Sequence, residues 1–318
     1  MLNDNVAAGS QILPFYLADG SSDVALIRGR MASVGTAAST IIERHNYPDL
    51  VGRLQAEALA LAACLSSTLK FDGVFTLQAK GDGLVRTLFA DITEAGNLRG
   101  YCALDEDQSQ LAAMQLAQPN DDAVHIVPLM GSGYIAFTVD DEATGGRYQG
   151  IVELDGPHLS DAAMRWFENS EQTDTMLLCS ADKGSSGWQA SALMLQRIAA
   201  EGGDAVSTAG AQAASDDAWH TAQTLLSSVS RAELLDPALT SEEIIYRLFN
   251  SMAPHVTPAR VVTDQCRCDE QKIESMLTQL SVDDVNDLAD AEGVLHLTCE
   301  FCKTERVFNK SDLPAFQN

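Results

Sequence analysis

Four of the seven cysteines fall in two tight pairs, Cys266-Arg267-Cys268 and Cys299-Glu300-Phe301-Cys302, with thirty residues between them. Four soft thiolates brought together suit a tetrahedral Zn²⁺ ion. A C-x-x-C turn sets two sulfurs on one side of a knuckle, half of a ribbon-type site. The C-x-C half is rarer, and its thiols are near enough to share one metal ion or to close a small, labile disulfide ring. The spacing predicts one Zn²⁺ per chain on Cys266, Cys268, Cys299 and Cys302. Metal-bound thiolates are also what oxidants attack, and oxidation to disulfides would expel the ion. His296 stands three residues before Cys299. Four cysteines already fill a tetrahedron, so His296 is read as a strand residue with at most a supporting role. His220 and His255 have no partner set, and Cys64, Cys102 and Cys179 sit among apolar neighbours as buried structural residues.

The elements that must position these thiols form a small module over residues 259–318. Asp269 can cap a helix over Glu270–Leu280, with Ile273, Met276, Leu277 and Leu280 inward. Ser281 and Asp284 cap a second, short helix, and Val294–Thr298 with Arg306–Phe308 flank the knuckle as a hairpin. So small a core leaves much of the folding energy to the metal. Upstream, residues 201–258 read as a linker. Glu201–Ser215 is rich in Ala, Gly and Ser, the composition of a flexible segment. Two amphipathic helices follow, one with Trp219 and Leu225 on its apolar face. The other opens on a Thr240/Glu243 capping box and carries Ile244, Ile245, Leu248 and Phe249. Packed at rest and conditionally freed, these six side chains are the candidates for binding a partner through apolar burial.

Residues 11–200 read as one α+β domain. Pro48 precedes a buried helix marked by Leu50, Leu54, Leu61, Leu65 and Leu69. Val74–Ala79, Val85–Ile92 and Leu98–Ala103 form an antiparallel meander. Ile126–Met130, Tyr134–Val139 and Tyr148–Leu154 add strands, Asp161–Asn169 a helix, and Met176–Ser180 and Trp188–Ile198 complete the set. Strand runs without βαβ regularity point to α+β rather than a doubly wound sheet.

The 318-residue chain carries 45 Asp and Glu against 20 Lys and Arg, a formal charge of −25. Residues 259–318 are themselves acidic, twelve against six. That field repels nucleic acid and argues against the nucleic-acid binding common among zinc ribbons. No apolar run reaches the roughly 18 residues of a membrane span. Met1–Ser10 lacks the basic and apolar regions of a signal peptide, so the expected compartment is the cytoplasm, where thiols stay reduced. Gly81-Asp82-Gly83 and Gly131-Ser132-Gly133 are not followed by a Lys-Ser/Thr pair opening a helix, and read as turns rather than phosphate loops. No catalytic constellation stands out, so no enzyme is expected. Two other classes stay open: a structural zinc-ribbon interaction module, and a thiol-disulfide oxidoreductase. The latter would need its C-x-x-C at a helix start in a thioredoxin-like domain.

The cysteine spacing resembles that of the heat-shock protein 33 family. The resemblance extends through Arg28-Gly29-Arg30, His45-Asn46-Tyr47-Pro48, Leu69-Lys70-Phe71-Asp72-Gly73, Gln78-Ala79-Lys80-Gly81-Asp82-Gly83, Gly131-Ser132-Gly133-Tyr134 and Arg147-Tyr148-Gln149-Gly150. It implies a redox-regulated, ATP-independent holdase chaperone that is inactive when reduced and zinc-loaded. Oxidation would then form Cys266–Cys268 and Cys299–Cys302, release zinc, unfold switch and linker, and expose a surface for unfolded client proteins. It also implies a homodimer in the active state. The chain departs from the family's usual pattern at Lys303, where Gly often follows the last cysteine, and at Asp269, which replaces a common Ser. The Ala/Gly-rich stretch at 201–215 is long.

Overall fold

The computed structural model describes residues 9–18, 24–105, 124–198 and 205–313. They divide into two compact units, the first reaching Asp264 and the second beginning at Gln265. In the first, β1 (Gln11–Leu17) and β2 (Ile27–Ser33) pair antiparallel, and α1 (Gly35–Glu43) and α2 (Asp49–Ser66) follow. The meander then appears as β3 (Gly73–Gly81), β4 (Val85–Thr93) and β5 (Asn97–Leu104). After α3 (Ile126–Met130), β6 (Gly133–Asp141) joins β3, and β7 (Gly146–Glu153) joins β6. Helix α4 (Leu159–Trp166) ends in a π-helical turn, and the hairpin β8 (Thr175–Gly184) and β9 (Gly187–Arg197) returns to β2.

Three helices follow, α5 (Ala205–Ser228), α6 (Arg231–Leu234) and α7 (Ser241–Phe249). Three two-residue strands then attach to the sheets. β10 (His255–Val256) and β11 (Arg260–Val261) pair with β1, and β12 (Thr263–Asp264) pairs parallel with β5. One sheet therefore runs β10-β1-β2-β9-β8, with β11 also on β1, and the other runs β12-β5-β4-β3-β6-β7.

Helix α2 lies in the main core, touching strands of both sheets, and is apolar around nearly its whole girth. That is the pattern of a helix with no solvent face. It stops at Ser66, so Leu69 lies beyond it, packed against the same core. Strand alternation gives β1 two apolar faces. Ile12 joins the core around α2, while Leu13, Phe15 and Leu17 point the other way. That second face, with Met31, Leu193 and Leu195, is covered by Trp219, Leu226, Ile244, Ile245 and Phe249 of α5 and α7. The Thr240/Glu243 capping box opens α7 as expected, each residue bonding the other's backbone N–H.

Two expectations fail here. Ile126–Met130 is a helix, not a strand. A five-residue apolar run does not distinguish the two, and Pro128 is tolerated in a first turn. The Ala-rich stretch is not a flexible segment from Ala205 onward but the first half of α5, because alanine is the strongest helix former; residues 201–204 lie outside the described set. The compact unit also runs past residue 258, through the short strands to Asp264.

In the second unit, α8 (Glu270–Leu277) and α9 (Val282–Leu288) precede the hairpin β13 (Val294–Thr298) and β14 (Glu305–Asn309). Its core is Leu277, Val285, Leu295 and Leu313, with Ile273, Leu280 and Phe308 around it. Helix α8 is shorter than predicted, and Met276, expected inward, is 53% exposed.

Candidate metal centre

The hairpin register pairs Thr298 with Glu305, which leaves Cys299–Thr304 to turn between the strands. The turn is closed by Lys303 N–H donating to Cys299 O at 2.8 Å and Cys299 N–H donating to Thr304 O at 3.0 Å. Cys266 and Cys268 arrive on the extended segment before α8, whose start Asp269 fixes by accepting from Lys272 N–H at 2.7 Å. The four sulfurs converge, all within 4.8 Å of one another. Cys266 Sγ lies 3.8 Å from Cys299 Sγ, and Cys268 Sγ 3.4 Å from Cys302 Sγ. Metal–sulfur bonds of about 2.3 Å in a tetrahedron place sulfurs about 3.8 Å apart, so the residues fit a tetrahedral thiolate-bound ion. Among the described residues this is the only group of three or more His, Cys, Asp or Glu side chains placed to share a metal.

The thiols are not equivalent. Burial, and then the neighbouring Cys302, push Cys268 up to about 12. Burial also raises Cys299, although the backbone N–H groups of Phe301 and Cys302 oppose this. For Cys302 burial is outweighed by hydrogen bonds from the Thr304 hydroxyl and amide and by the adjacent Cys268 and Cys299 thiols, which bring it down to about 6. Of Cys268, Cys299 and Cys302 the last therefore ionises most readily, and filling the site means displacing protons from the other two.

Lys303 adopts φ 54°, the left-handed conformation that glycine takes without strain. The knuckle thus turns as tightly as a glycine would allow, contrary to the looser turn its side chain suggests. Lys303→Gly is expected to stabilise the metal-loaded module by about 0.5–1 kcal/mol, the left-handed strain less the chain entropy of glycine. Competition with a chelator reads this as tighter retention, and weaker retention than the parent contradicts it.

His296 lies in β13 and faces Glu305 at 2.9 Å and Asp290 at 3.6 Å, apart from the sulfurs. Arg306 is the residue that spacing did not reveal. It lies on β14, with Nη2 donating to Cys268 O at 3.5 Å and Nη1 buried without an acceptor. Only the hairpin register could have brought it to notice.

Of the six candidate contact residues, Trp219, Ile244, Ile245 and Phe249 are buried and Leu225 and Leu248 half-buried, all packed on the outer face of β1, β2 and β9. Phe249 stacks on Phe15 at 5.9 Å between centroids. Cys64, Cys102 and Cys179 are buried far from ionisation. Cys64 is pushed up to about 12 by burial, and Cys102 bonds Gln55 Oε1 at 3.1 Å. No described helix is long and apolar enough to cross a membrane.

Fold and site define a mixed helix-and-sheet protein with a sheet-rich core and, in a small C-terminal unit, a four-cysteine cluster that could hold a metal ion. The model of the Hsp33 protein family matches residues 12–309. A 33 kDa chaperonin of Caulobacter vibrioides is 32% identical over 280 residues, 87% of this chain and 88% of that one. One from Sodalis glossinidius is 30% identical over 291 residues, covering 92% and 91%. The crystal structure of the 33 kDa chaperonin, heat shock protein 33 homolog, of Thermotoga maritima shares the fold. Its TM-score is 0.77 at 18% identity, over 96% of this chain and 97% of that one. This chain belongs to the Hsp33 family.

Proposed function

We propose that the protein is a redox-regulated, ATP-independent holdase, in which four thiols hold Zn²⁺ at rest and their oxidation frees an apolar surface for unfolded chains. The observation that carries this reading is the convergence of Cys266, Cys268, Cys299 and Cys302 in a unit whose core is only a few side chains. A bound zinc ion would cross-link the two cysteine pairs and supply folding energy there. Oxidation of the thiolates withdraws the ligand set, and a unit with so little core then loses its structure. The linker helices α5 and α7 cover an apolar sheet face, so their release exposes both surfaces to a client. None of this requires a nucleotide.

The disulfides Cys266–Cys268 and Cys299–Cys302, homodimerisation of the active form and a cytoplasmic location follow from the family resemblance. Peptide mapping of the oxidised protein tests the pairing against its alternative, Cys268–Cys302, whose sulfurs lie 3.4 Å apart. The experiment on function compares parent and Cys266→Ser/Cys299→Ser. The parent is expected to bind one zinc per chain when reduced and to suppress client aggregation only once oxidised. The double variant is expected to bind little zinc and to respond little to oxidant. Near-stoichiometric zinc in the variant would contradict the ligand assignment.

A further inference from the structure

We infer that Arg306 sets the oxidant threshold of the cysteine cluster, acting as a fixed positive charge that favours the reduced, metal-holding thiolates. The inference rests on the reading of the four cysteines as a redox-sensitive zinc site. The other charges around the knuckle are largely paired. Lys303 Nζ lies 2.7 Å from Glu300, Lys272 Nζ lies 3.3 Å from Asp269, and His296 bonds Glu305. Arg306 makes no ion pair of its own among the described residues; the nearby Asp269 carboxylate, which feels its charge, is bonded to Lys272. Its guanidinium instead reaches the Cys268 carbonyl, and Nη1 is buried with no acceptor.

Four thiolates around a divalent cation carry a net charge of −2, whereas two disulfides carry none. A cation beside the sulfurs therefore stabilises the starting state of the oxidation and not its product. With glutathione disulfide as oxidant, two Cys–Cys bonds form and two glutathione S–S bonds break. Four electrons pass from the cysteine thiolates to two glutathione disulfides, which take four protons from solvent and leave as four thiols. With its ligands gone, the divalent ion is no longer held.

The test measures zinc release and free thiols across a series of glutathione redox buffers, with no client present. Arg306→Gln is expected to release zinc at about 1.2- to 2.3-fold lower glutathione disulfide at fixed glutathione, the square root of the roughly 1.4- to 5-fold change in equilibrium that one solvent-screened charge interaction gives, because two glutathione disulfides are consumed per cluster. Arg306→Lys is expected to restore most of the difference, and 1 M salt to shrink it. Hydrogen exchange of the β13–β14 hairpin shows whether the variants stay folded when reduced. An unshifted midpoint in Arg306→Gln overturns the inference, as does a Lys variant displaced as far as Gln, or a shift that 1 M salt leaves intact. A parent that binds no zinc would instead defeat the underlying reading, so the two failures are distinguishable.

Discussion

Removing the metal from the reduced protein is expected to unfold residues 265–313 while the unit ending at Asp264 keeps its structure. The asymmetry comes from the cores. The first unit buries α2 among strands of two six-stranded sheets and covers one sheet's second face with α5 and α7. The second buries Leu277, Val285, Leu295 and Leu313, and leaves Met276, Val282, Leu288 and Val307 exposed. At roughly 1.5–3 kcal/mol per fully buried large side chain as an upper bound, that core does not offset the conformational entropy of ordering its helices and hairpin. Cross-linking by the four sulfurs supplies the difference. Hydrogen exchange after chelation under reducing conditions should show lost protection across β13 and β14 and retained protection in β2, β3 and β9. Unchanged protection in the hairpin would refute the linkage.

The second large effect concerns the docked linker. Ile245 and Phe249 are 0% exposed and lie against β1 and its neighbours. Ile245→Asp/Phe249→Asp would bury two carboxylates without partners, at a cost that exceeds the lost apolar contact. The variant is expected to suppress client aggregation while fully reduced and still zinc-loaded, and its linker should be cut faster by protease. Gly29→Ala approaches the same contact from the strand side. A Cβ there would lie 2.0 Å from Phe15 Cζ, and Phe15 is the ring on which Phe249 stacks. It should give a weaker effect of the same sign. A double variant that is inactive when reduced and no more protease-sensitive than the parent would show that the linker is not the gate.

Much of this was legible in the chain. The cysteine pairs declare a shared site because two short spacings repeat in an otherwise ordinary acidic sequence, and the caps at Thr240, Asp269 and Ser281 mark helix starts by local chemistry alone. Other features depend on tertiary placement. The run Ile126–Met130 satisfies helix and strand equally. The two-residue strands β10, β11 and β12 are too short for any alternation and exist through the edges they join. Arg306 looks like one exposed charge of a hairpin until register sets it beside Cys268. The left-handed Lys303 shows a turn closing despite its side chain, because Cys299 and Thr304 pair across it.

Whether oxidation switches the protein on can be read from light scattering of a chemically unfolded client diluted without ATP into reduced or peroxide-oxidised protein, with released zinc measured in the same samples. Reduced protein is expected to leave aggregation unchanged, and suppression is expected to appear together with loss of about one zinc per chain and to be lost on re-reduction with zinc. Equal suppression by reduced and oxidised protein, or suppression with all zinc retained in the parent, would contradict that expectation.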